Sequence, residues 1–293
     1  MASLKEVKGR ISSVMSTQQI TKAMKMVAAA KLKRATDNII QMRPYAQKLN
    51  AILQNVTAGM EGSVDNQFAQ EREVSKVLIV LLTSDKGLCG AFNGNVIKAT
   101  RQLLVGKYAA QHQAGNVTLM PIGRKAADFV RKGGYKTVNE YSDLFTRLNF
   151  NAVREAAEFA MAGFAKGDFD RVEIVYNEFK NVATQILKTD QFLPIMPTVS
   201  EVSEASSDYI FEPSKEYIVQ ELIPTSLKVQ FYKSLLESNA SEHGARMTAM
   251  DKATENAGEL LKELRLTYNR TRQAAITKEI LEIVAGAEAL SGK

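Results

Sequence analysis

Apolar residues recur at intervals of three and four through the first 58 residues of the chain. One heptad register contains Leu4, Val7, Ile11 and Val14, and it resumes with Ala28, Leu32, Ala35, Ile39, Met42, Ala46, Leu49, Leu53 and Val56. Such a seam predicts a long helix that supercoils left-handedly with a helical partner. Pro44 is expected to kink this helix or to interrupt its hydrogen bonding locally.

Polar side chains take the register positions between the two halves of this seam. They are Gln18, Thr21 and Lys25, and the apolar stripe moves to Ile20, Met24 and Val27. The helix is therefore expected to turn a different face inward at this point, or to face another protein.

The C-terminal part of the chain has the pattern of a second long helix, from about Ser214 to about Leu290, with a second candidate kink at Pro224. Its seam includes Leu236, Ala240, Met247, Met250, Ala257, Leu261, Leu264 and Tyr268, and after Thr271 the stripe changes phase to Ile276, Ile280, Ile283, Ala287 and Leu290. At 1.5 Å per residue, residues 4–58 and 226–290 would form rods of roughly 80 and 100 Å. Because both join the same central segment, antiparallel pairing with each other is the simplest arrangement.

The difference in length predicts an exposed end. If the rods pair from the centre outward, the second extends past the first by on the order of ten residues or more. The extension carries Ile276, Ile280, Leu281, Ile283, Val284 and Leu290. Leaving these six side chains in water forgoes about 10 kcal/mol in total, so the patch predicts a contact site. The alternative is that the tail folds back onto its own α/β domain, which an antiparallel pair disfavours because it carries the tail away.

Strand-like and helix-like patterns alternate between the two rods. Strands are predicted at residues 76–83, 117–122, 171–179 and 184–192, and helices at residues 95–112, 124–132 and 151–166. This order favours a mostly parallel sheet whose last two strands form a hairpin. We therefore predict an α/β fold in which the N- and C-terminal helices form a long antiparallel two-helix coiled coil, with a central Rossmann-like domain inserted between them. The predicted domains are residues 1–58, 76–193 and 214–293.

Charge is concentrated in the first helix. The chain has a net charge of +6, and residues 1–58 alone carry ten Lys or Arg against Glu6 and Asp37, a net +8. A basic face of this kind attracts nucleic acid, an anionic membrane or an acidic protein surface. Nucleic acid is disfavoured because Tyr45 is the one aromatic residue available for base stacking along this helix.

Composition and the N-terminal pattern favour a reducing cytoplasm. Residues 3–6 form a capping box that starts a helix almost at once, which leaves no room for a signal peptide. The longest apolar runs, such as residues 77–82, are far shorter than the roughly 20 residues that cross a bilayer. Cys89 is the single cysteine, so it forms no internal disulfide, and packing beside Gly90 explains it better than a reactive thiol.

The stretch KVLIVLLTSDKGLCGAFNGNV, residues 76–96, resembles a strand followed by a phosphate-binding loop. Its glycines at 87, 90 and 94 match neither the dinucleotide fingerprint nor the P-loop spacing, so a tight strand-to-helix turn is the better interpretation. His112 and His243 have no second ligand at metal-binding spacing. No set of catalytic residues can be assembled. A nucleotide-binding α/β enzyme on a coiled-coil stalk is nevertheless kept as the alternative function.

Four stretches resemble the gamma subunit of F-type ATP synthases, the central rotor shaft of that complex. They are ITKAMKMVAAAKLKRA (20–35), SDKGLCGAFN (84–93), SEHGARMTAMDKATENA (241–257) and TRQAAITKEILEIVAGAEA (271–289), and the likeness covers essentially the whole chain. The last stretch is similar to the family's C-terminal signature and is the most specific. Ala91 stands where many members have a second glycine, and the cysteine-bearing insert of chloroplast members is absent, so thiol regulation is not expected.

The resemblance implies a non-catalytic rotor subunit with no cofactor or metal of its own. The paired helices would enter a ring of three alpha and three beta subunits, while the globular domain would sit with epsilon on the membrane-embedded rotor ring. The resemblance further implies a peripheral position at the cytoplasmic face of a bacterial inner membrane. Neither nucleic acid nor a small-molecule substrate is expected to bind the chain directly.

The resemblance also implies which residues contact each partner. Contacts with the beta subunit are expected at Lys22, Met24, Lys25, Arg272 and Gln273. Contacts with an apolar sleeve of the alpha/beta ring are expected at Ile276, Ile280, Ile283 and Leu290. Tyr209 and Glu212 are expected to face the membrane ring or epsilon.

Overall fold

Two long helices flank an α/β segment in the computed structural model, which describes residues 3–58, 67–195 and 215–291. In chain order the elements are α1 (Leu4–Ala58), β1 (Val77–Leu82), α2 (Phe92–Val105), α3 (Ala109–Gln113), β2 (Val117–Ile122), α4 (Arg124–Gly133), a 3-10 turn (Leu144–Arg147), α5 (Phe150–Lys166), β3 (Arg171–Phe179), β4 (Gln185–Leu193) and α6 (Lys215–Ser291). The predicted fold class is confirmed. Pro44 and Pro224 lie inside α1 and α6, which both continue past them.

The four strands form one sheet in the order β2-β1-β3-β4. β1 pairs in parallel with β2 and β3, and β3 pairs antiparallel with β4, as the alternating pattern predicted. Every residue of β1 and β2 is buried, which is typical of parallel strands that are covered on both faces. Helices α2 and α4 cover one face, and α5 with the first part of α6 covers the other.

The single helix predicted over residues 95–112 is wrong, because the chain forms two helices there. Gly106 ends α2 with a backbone conformation outside the helical region (φ −100°, ψ −93°). The turn places Tyr108 in the core, where its hydroxyl donates to the buried carboxylate of Glu173, which also accepts from Lys107. Burial raises the pKa of Tyr108, and the hydrogen bond to Glu173 raises it further. A contact distant in sequence therefore breaks a helix that the local pattern joins.

Packing divides the chain into two compact units. The larger contains residues 29–246, and the smaller contains residues 1–28 together with residues 247–293. Each unit includes part of α1 and part of α6. The three sequence domains stay a prediction, since these units follow side-chain packing and not chain segments.

In the larger unit, α6 packs between the sheet and α1. Phe231 of α6 contacts Phe192 of β4 edge to face, with ring centroids 5.4 Å apart. On the other side of α6, Leu236 and Ile39 line a narrow apolar gap between the two long helices. The small side chains that allow this close packing are Ser234, Ser238, Ala240 and Ser241, all of them buried. An ion pair between Arg43 and Glu237 (3.6 Å) also joins α1 to α6 here.

His243 also lies on α6 and is half-buried. Burial, together with the positive charges of Lys31 and Arg246, lowers the pKa of His243 to about 4. Its Nδ1 atom has no hydrogen-bond partner within the described residues and lies 3.9 Å from a carboxylate oxygen of Glu242. The lowered pKa favours the neutral imidazole near pH 7.

We expect that replacing Phe231 with alanine lowers the free energy of unfolding by about 3–5 kcal/mol, because the side chain is fully buried and leaves a cavity. The matched control is Phe150→Ala, since Phe150 also packs edge to face on an aromatic ring, Tyr232, but is 36% exposed. The control should cost less than about 1.5 kcal/mol. Chemical denaturation followed by circular dichroism measures both, and equal midpoints for the two variants would contradict the packing described.

We expect the imidazole of His243 to stay neutral down to about pH 4. Its pKa in the unfolded chain is 6.5, so the unfolded state binds a proton that the native state does not between those values. Stability should therefore fall as pH falls through this window, by on the order of 3 kcal/mol in all. Proton NMR titration of the two histidines tests this prediction, and His243→Gln assigns the signal and removes the pH dependence. A His243 resonance that titrates near 6.5 would refute it.

Candidate functional site

The smaller unit shows where α6 loses its helical partner. Lys25 Nζ lies 2.5 Å from Asp251 Oδ1, and Thr254 Oγ1 donates to Thr21 Oγ1 at 2.8 Å. The residue numbers in these two pairs add to 276 and 275, and in an antiparallel pair that total stays nearly constant. Leu4, the first residue of α1, therefore lies opposite about residue 272 of α6.

Exposure along α6 changes at the same point. Every described side chain from residue 272 to residue 288 is exposed. The large aliphatic ones among them are Ile276, Ile280, Leu281, Ile283 and Val284, between 49% and 67% exposed. We call these five residues the apolar tip. The prediction of an exposed apolar end is confirmed for these five residues. Their contact with a partner stays a prediction.

Arg272 and Gln273 are the first residues of α6 beyond the start of α1, and both are exposed. They are adjacent in sequence to the apolar tip, so a partner that encloses the tip would meet their polar side chains at its rim. Their assignment to a beta subunit stays a prediction. Leu290 lies beyond the described side chains, and Tyr209 and Glu212 lie outside the described residues.

The polar register positions of α1 face α6, so the displaced apolar stripe is not turned toward α6, and its contact with another protein stays a prediction. Gln18 Nε2 donates to the carbonyl of Thr254 at 3.4 Å, and Thr21 is buried. The displaced apolar residues Ile20 and Val27 are 59% and 57% exposed. This part of α1 thus keeps its polar face on α6 and offers an apolar face to solvent, as a helix that contacts another protein would.

The three α1 residues assigned to the beta subunit have different environments. Lys22 is exposed, Met24 is half-buried, and Lys25 is half-buried and paired with Asp251. Because Asp251 already neutralises Lys25, Lys22 is the better candidate for attraction to an acidic partner. No local sequence pattern predicts this pair, because it joins residues 226 positions apart.

The loop after β1, which raised the question of a nucleotide site, is filled by the protein itself. The backbone N–H of Ser84 donates to Asn93 Oδ1 at 2.9 Å, and Asn93 Nδ2 donates to Cys89 Sγ at 3.2 Å. The guanidinium of Arg246, on α6, donates to the carbonyls of Lys86 and Gly87. Cys89 is buried in this network, which agrees with a packing role for its thiol.

The neighbouring strand end is covered in the same way. The backbone N–H of Phe179, the last residue of β3, donates to Glu237 Oε2 on α6 at 3.1 Å. In open α/β sheets, ligands bind at the carboxyl ends of the strands where the strand order reverses, which here is between β1 and β3. Because α6 occupies that position, the nucleotide-binding enzyme is the weaker hypothesis. Among the described residues, no three His, Cys, Asp or Glu side chains are grouped to hold a metal ion.

Within the described part of the chain, no helix is both long and apolar enough to cross a membrane. The part of α6 that bears the apolar tip also carries charged side chains, such as the Lys278–Glu282 pair at 3.4 Å.

The sequence matches a family model described as ATP synthase over residues 3–290. Among curated relatives, the ATP synthase gamma chain of Cytophaga hutchinsonii is 62% identical, with 99% of this chain and all of the relative covered. The ATP synthase gamma chain of Chlorobaculum tepidum is 50% identical over 99% of both chains.

Solved structures of the same complex share the fold. A chain of the Tetrahymena thermophila mitochondrial ATP synthase, from a structure of its central stalk and c-ring, matches with a TM-score of 0.55 and 26% identity over 80% of this chain and 99% of that one. A chain of the Euglena gracilis mitochondrial enzyme, in rotational state 3, matches with a TM-score of 0.68 and 21% identity over 98% of this chain and 94% of that one. The chain therefore belongs to the family of ATP synthase gamma chains and is, as its sequence predicted, a stalk subunit and not a catalytic one.

Proposed function

We propose that this chain is the rotating shaft that couples ion flow through a membrane-embedded ring to ATP synthesis or hydrolysis at the catalytic sites of beta subunits. In this proposal residues 1–58 and 214–293 form the shaft, and residues 76–193 form the domain that sits with epsilon on the membrane ring. The observation that carries the proposal is the apolar tip, which begins where α1 stops covering α6.

The partners follow from what related complexes contain. The solved neighbours are described as parts of a central stalk with a c-ring, a rotor, or an assembly of F1, c-ring and another subunit. For this chain we propose a ring of three alpha and three beta subunits around the tip, together with epsilon and the membrane ring at the other end. The bacterial relatives support a location at the cytoplasmic face of the inner membrane.

An asymmetric shaft can drive catalysis only through contacts that differ between beta subunits. A ligand or partner shifts a conformational equilibrium by no more than its differential affinity for the two states. Lys22, Met24, Arg272 and Gln273 are exposed or half-buried on one unit of the chain, so they can make such contacts. Each angle of the shaft would then stabilise one conformation of a beta subunit over the others. Tyr209 and Glu212 are proposed to contact the membrane ring or epsilon.

The apolar tip is proposed to turn in an apolar sleeve of the alpha/beta ring, with Leu290 as its outermost member. A smooth apolar sleeve suits rotation because hydrophobic contacts are non-directional and set no preferred angle. The polar pair Arg272 and Gln273 would supply the directional contacts at the rim of that sleeve.

We expect the triple variant Ile276→Ser, Ile280→Ser, Ile283→Ser to weaken assembly with alpha and beta subunits. Each buried isoleucine contributes roughly 1.5–3 kcal/mol, and about 1.4 kcal/mol is a factor of ten in affinity, so the loss should exceed a hundredfold. The isolated chain should unfold at the same temperature as the wild type, since these side chains are exposed.

The matched control for this triple variant is Val105→Ser with Ile186→Ser, which replaces exposed aliphatic residues of the α/β segment. Size exclusion and ATPase turnover after mixing with purified alpha and beta subunits measure the effect. If the triple variant and the control assemble equally well, the apolar tip is not the contact site.

We expect Arg272→Ala with Gln273→Ala to lower coupled ATP synthesis in the assembled complex by at least about tenfold, because hydrogen bonds to charged groups contribute about 1.5–3 kcal/mol. The control Arg154→Ala with Asn151→Ala removes one guanidinium and one amide from α5 instead. Synthesis driven by an imposed proton gradient in membrane vesicles provides the measurement. Unchanged synthesis in the Arg272 and Gln273 variant would remove both residues from the proposed contact.

A further inference from the structure

The contact between Arg246 and the loop after β1 joins the long helix α6 directly to the sheet. The Arg246 guanidinium donates to the carbonyls of Lys86 (3.1 Å) and Gly87, and it also pairs with Glu242 one turn earlier on α6. The side chains of Arg246 and Glu242 are only 12% and 11% exposed. Charge-assisted hydrogen bonds of this kind fix geometry more tightly than apolar contacts do.

A second contact joins α6 to the next strand. Glu237, whose side chain is 2% exposed, accepts the backbone N–H of Phe179 at the end of β3. Arg43 of α1 lies on the other oxygen of the same carboxylate at 3.6 Å. The buried charge of Glu237 is thus partnered from two neighbouring elements.

The two contacts hold α6 from different sides. Glu237 and Arg246 are nine residues apart, which is two and a half turns of helix and roughly 13 Å along its axis. Two side chains separated by two and a half turns leave a helix on opposite sides. A helix fixed in this way resists both rolling about its axis and sliding along it.

The loop that receives Arg246 is itself held in a constrained conformation. Leu88 has a φ of 66°, in the left-handed region that residues other than glycine rarely adopt. Such a conformation persists where the surrounding structure enforces it. Here Asn93 bonds to Ser84 and Cys89, and Arg246 bonds to the carbonyls just before Leu88. The loop therefore provides a rigid contact for α6.

Apart from the ion pair between Lys228 and Glu158 of α5 (2.7 Å), the other packing of α6 in this unit is largely apolar. Phe231 and Leu235 belong to the core shared with the sheet, and Leu236 faces α1. Hydrophobic packing is non-directional, so it opposes separation of the elements more than rotation of one past another. Resistance to rotation must come chiefly from directional bonds, and those of Arg246 and Glu237 reach the ends of β1 and β3.

We propose that Arg246 and Glu237 are positioning residues that lock α6 to the carboxyl ends of β1 and β3, so that torque passes between the α/β segment and the shaft at this point. The inference rests on the proposed rotor function and names the residues through which the rotor transmits its load. Arg246 provides the lock on the β1 loop, and Glu237 provides the lock on β3.

The test uses the complete complex, with the alpha/beta ring immobilised and a bead attached on the membrane-ring side. Thermal fluctuations of the bead angle give the torsional stiffness of the shaft, and vesicles give the number of protons pumped per ATP hydrolysed. The variants are Arg246→Ala, Arg246→Lys and Glu237→Gln. Arg131→Ala is the matched control, because Arg131 also pairs with a carboxylate one turn earlier on its own helix, Asp128, but lies on exposed surface.

Stiffness and pumping per ATP should fall at least about twofold in Arg246→Ala, because every directional bond from α6 to the β1 loop through this side chain is lost. Arg246→Lys should be intermediate, since a single ammonium retains the charge but lacks the guanidinium fork that spans two carbonyls. Arg131→Ala should match the wild type. If Arg246→Ala does not assemble, Arg246→Lys and Glu237→Gln decide the question.

Assembled variants with wild-type stiffness and wild-type pumping would overturn the proposal, even if they unfold at a lower temperature, because a purely structural role alters stability alone. A wild-type complex that assembles but does not rotate would instead overturn the rotor function, and the torque inference with it. The two failures are thus distinguishable.

Discussion

Burial of α6 from two sides is the constraint on which the rest of the structure depends. Between Phe231 and Gly244 this helix contacts the sheet on one side and α1 on the other, and most of its side chains are buried. A helix buried all round cannot be amphipathic, and its side chains must be small where neighbours approach. The stretch SNASEHGA meets both requirements, and a methyl group added at Gly244 would already touch the ring of Phe179.

The same packing explains how a sheet of nucleotide-binding type belongs to a stalk subunit. A doubly wound sheet leaves a crevice where its strand order reverses, and that crevice is a general ligand site. In this chain Arg246 and Glu237 of α6 occupy that crevice. The strand ends that bind a phosphate in other proteins therefore bind a helix here. The fold is kept while the function differs, because function depends on what occupies the site.

Sequence periodicity was sufficient to predict the helices and strands and how they pair, because the apolar pattern of each element is local. Heptads predicted both long helices, and alternation of strands with helices predicted the parallel sheet. The pattern failed at Gly106, where the buried bond from Tyr108 to Glu173 breaks a helix, since that bond joins residues 65 positions apart. At the site, the exposed tip followed from a difference in helix length, whereas the Lys25–Asp251 pair had no local signal.

Arg246 shows why the sequence was insufficient for the contact at the sheet edge. In the sequence, Glu242 and Arg246 form an ordinary i, i+4 pair, the pattern typical of a solvent-exposed helix face. Only tertiary packing distinguishes it from the exposed Arg154–Glu158 pair, which has the same spacing.

The end of α6 that has no helical partner would become better ordered when a partner protein binds it. From residue 272 onward it is a single helix of about 20 residues, a length at which helices in water are marginal unless tertiary contacts support them. A surrounding sleeve would remove the aliphatic side chains from water and at the same time supply those contacts. Part of the gain from burying the tip must therefore offset the entropy of ordering the helix. The affinity of the apolar tip for the proposed sleeve should thus be lower than the buried apolar area suggests. A moderate affinity of this kind would hold the tip in the sleeve and still allow it to rotate.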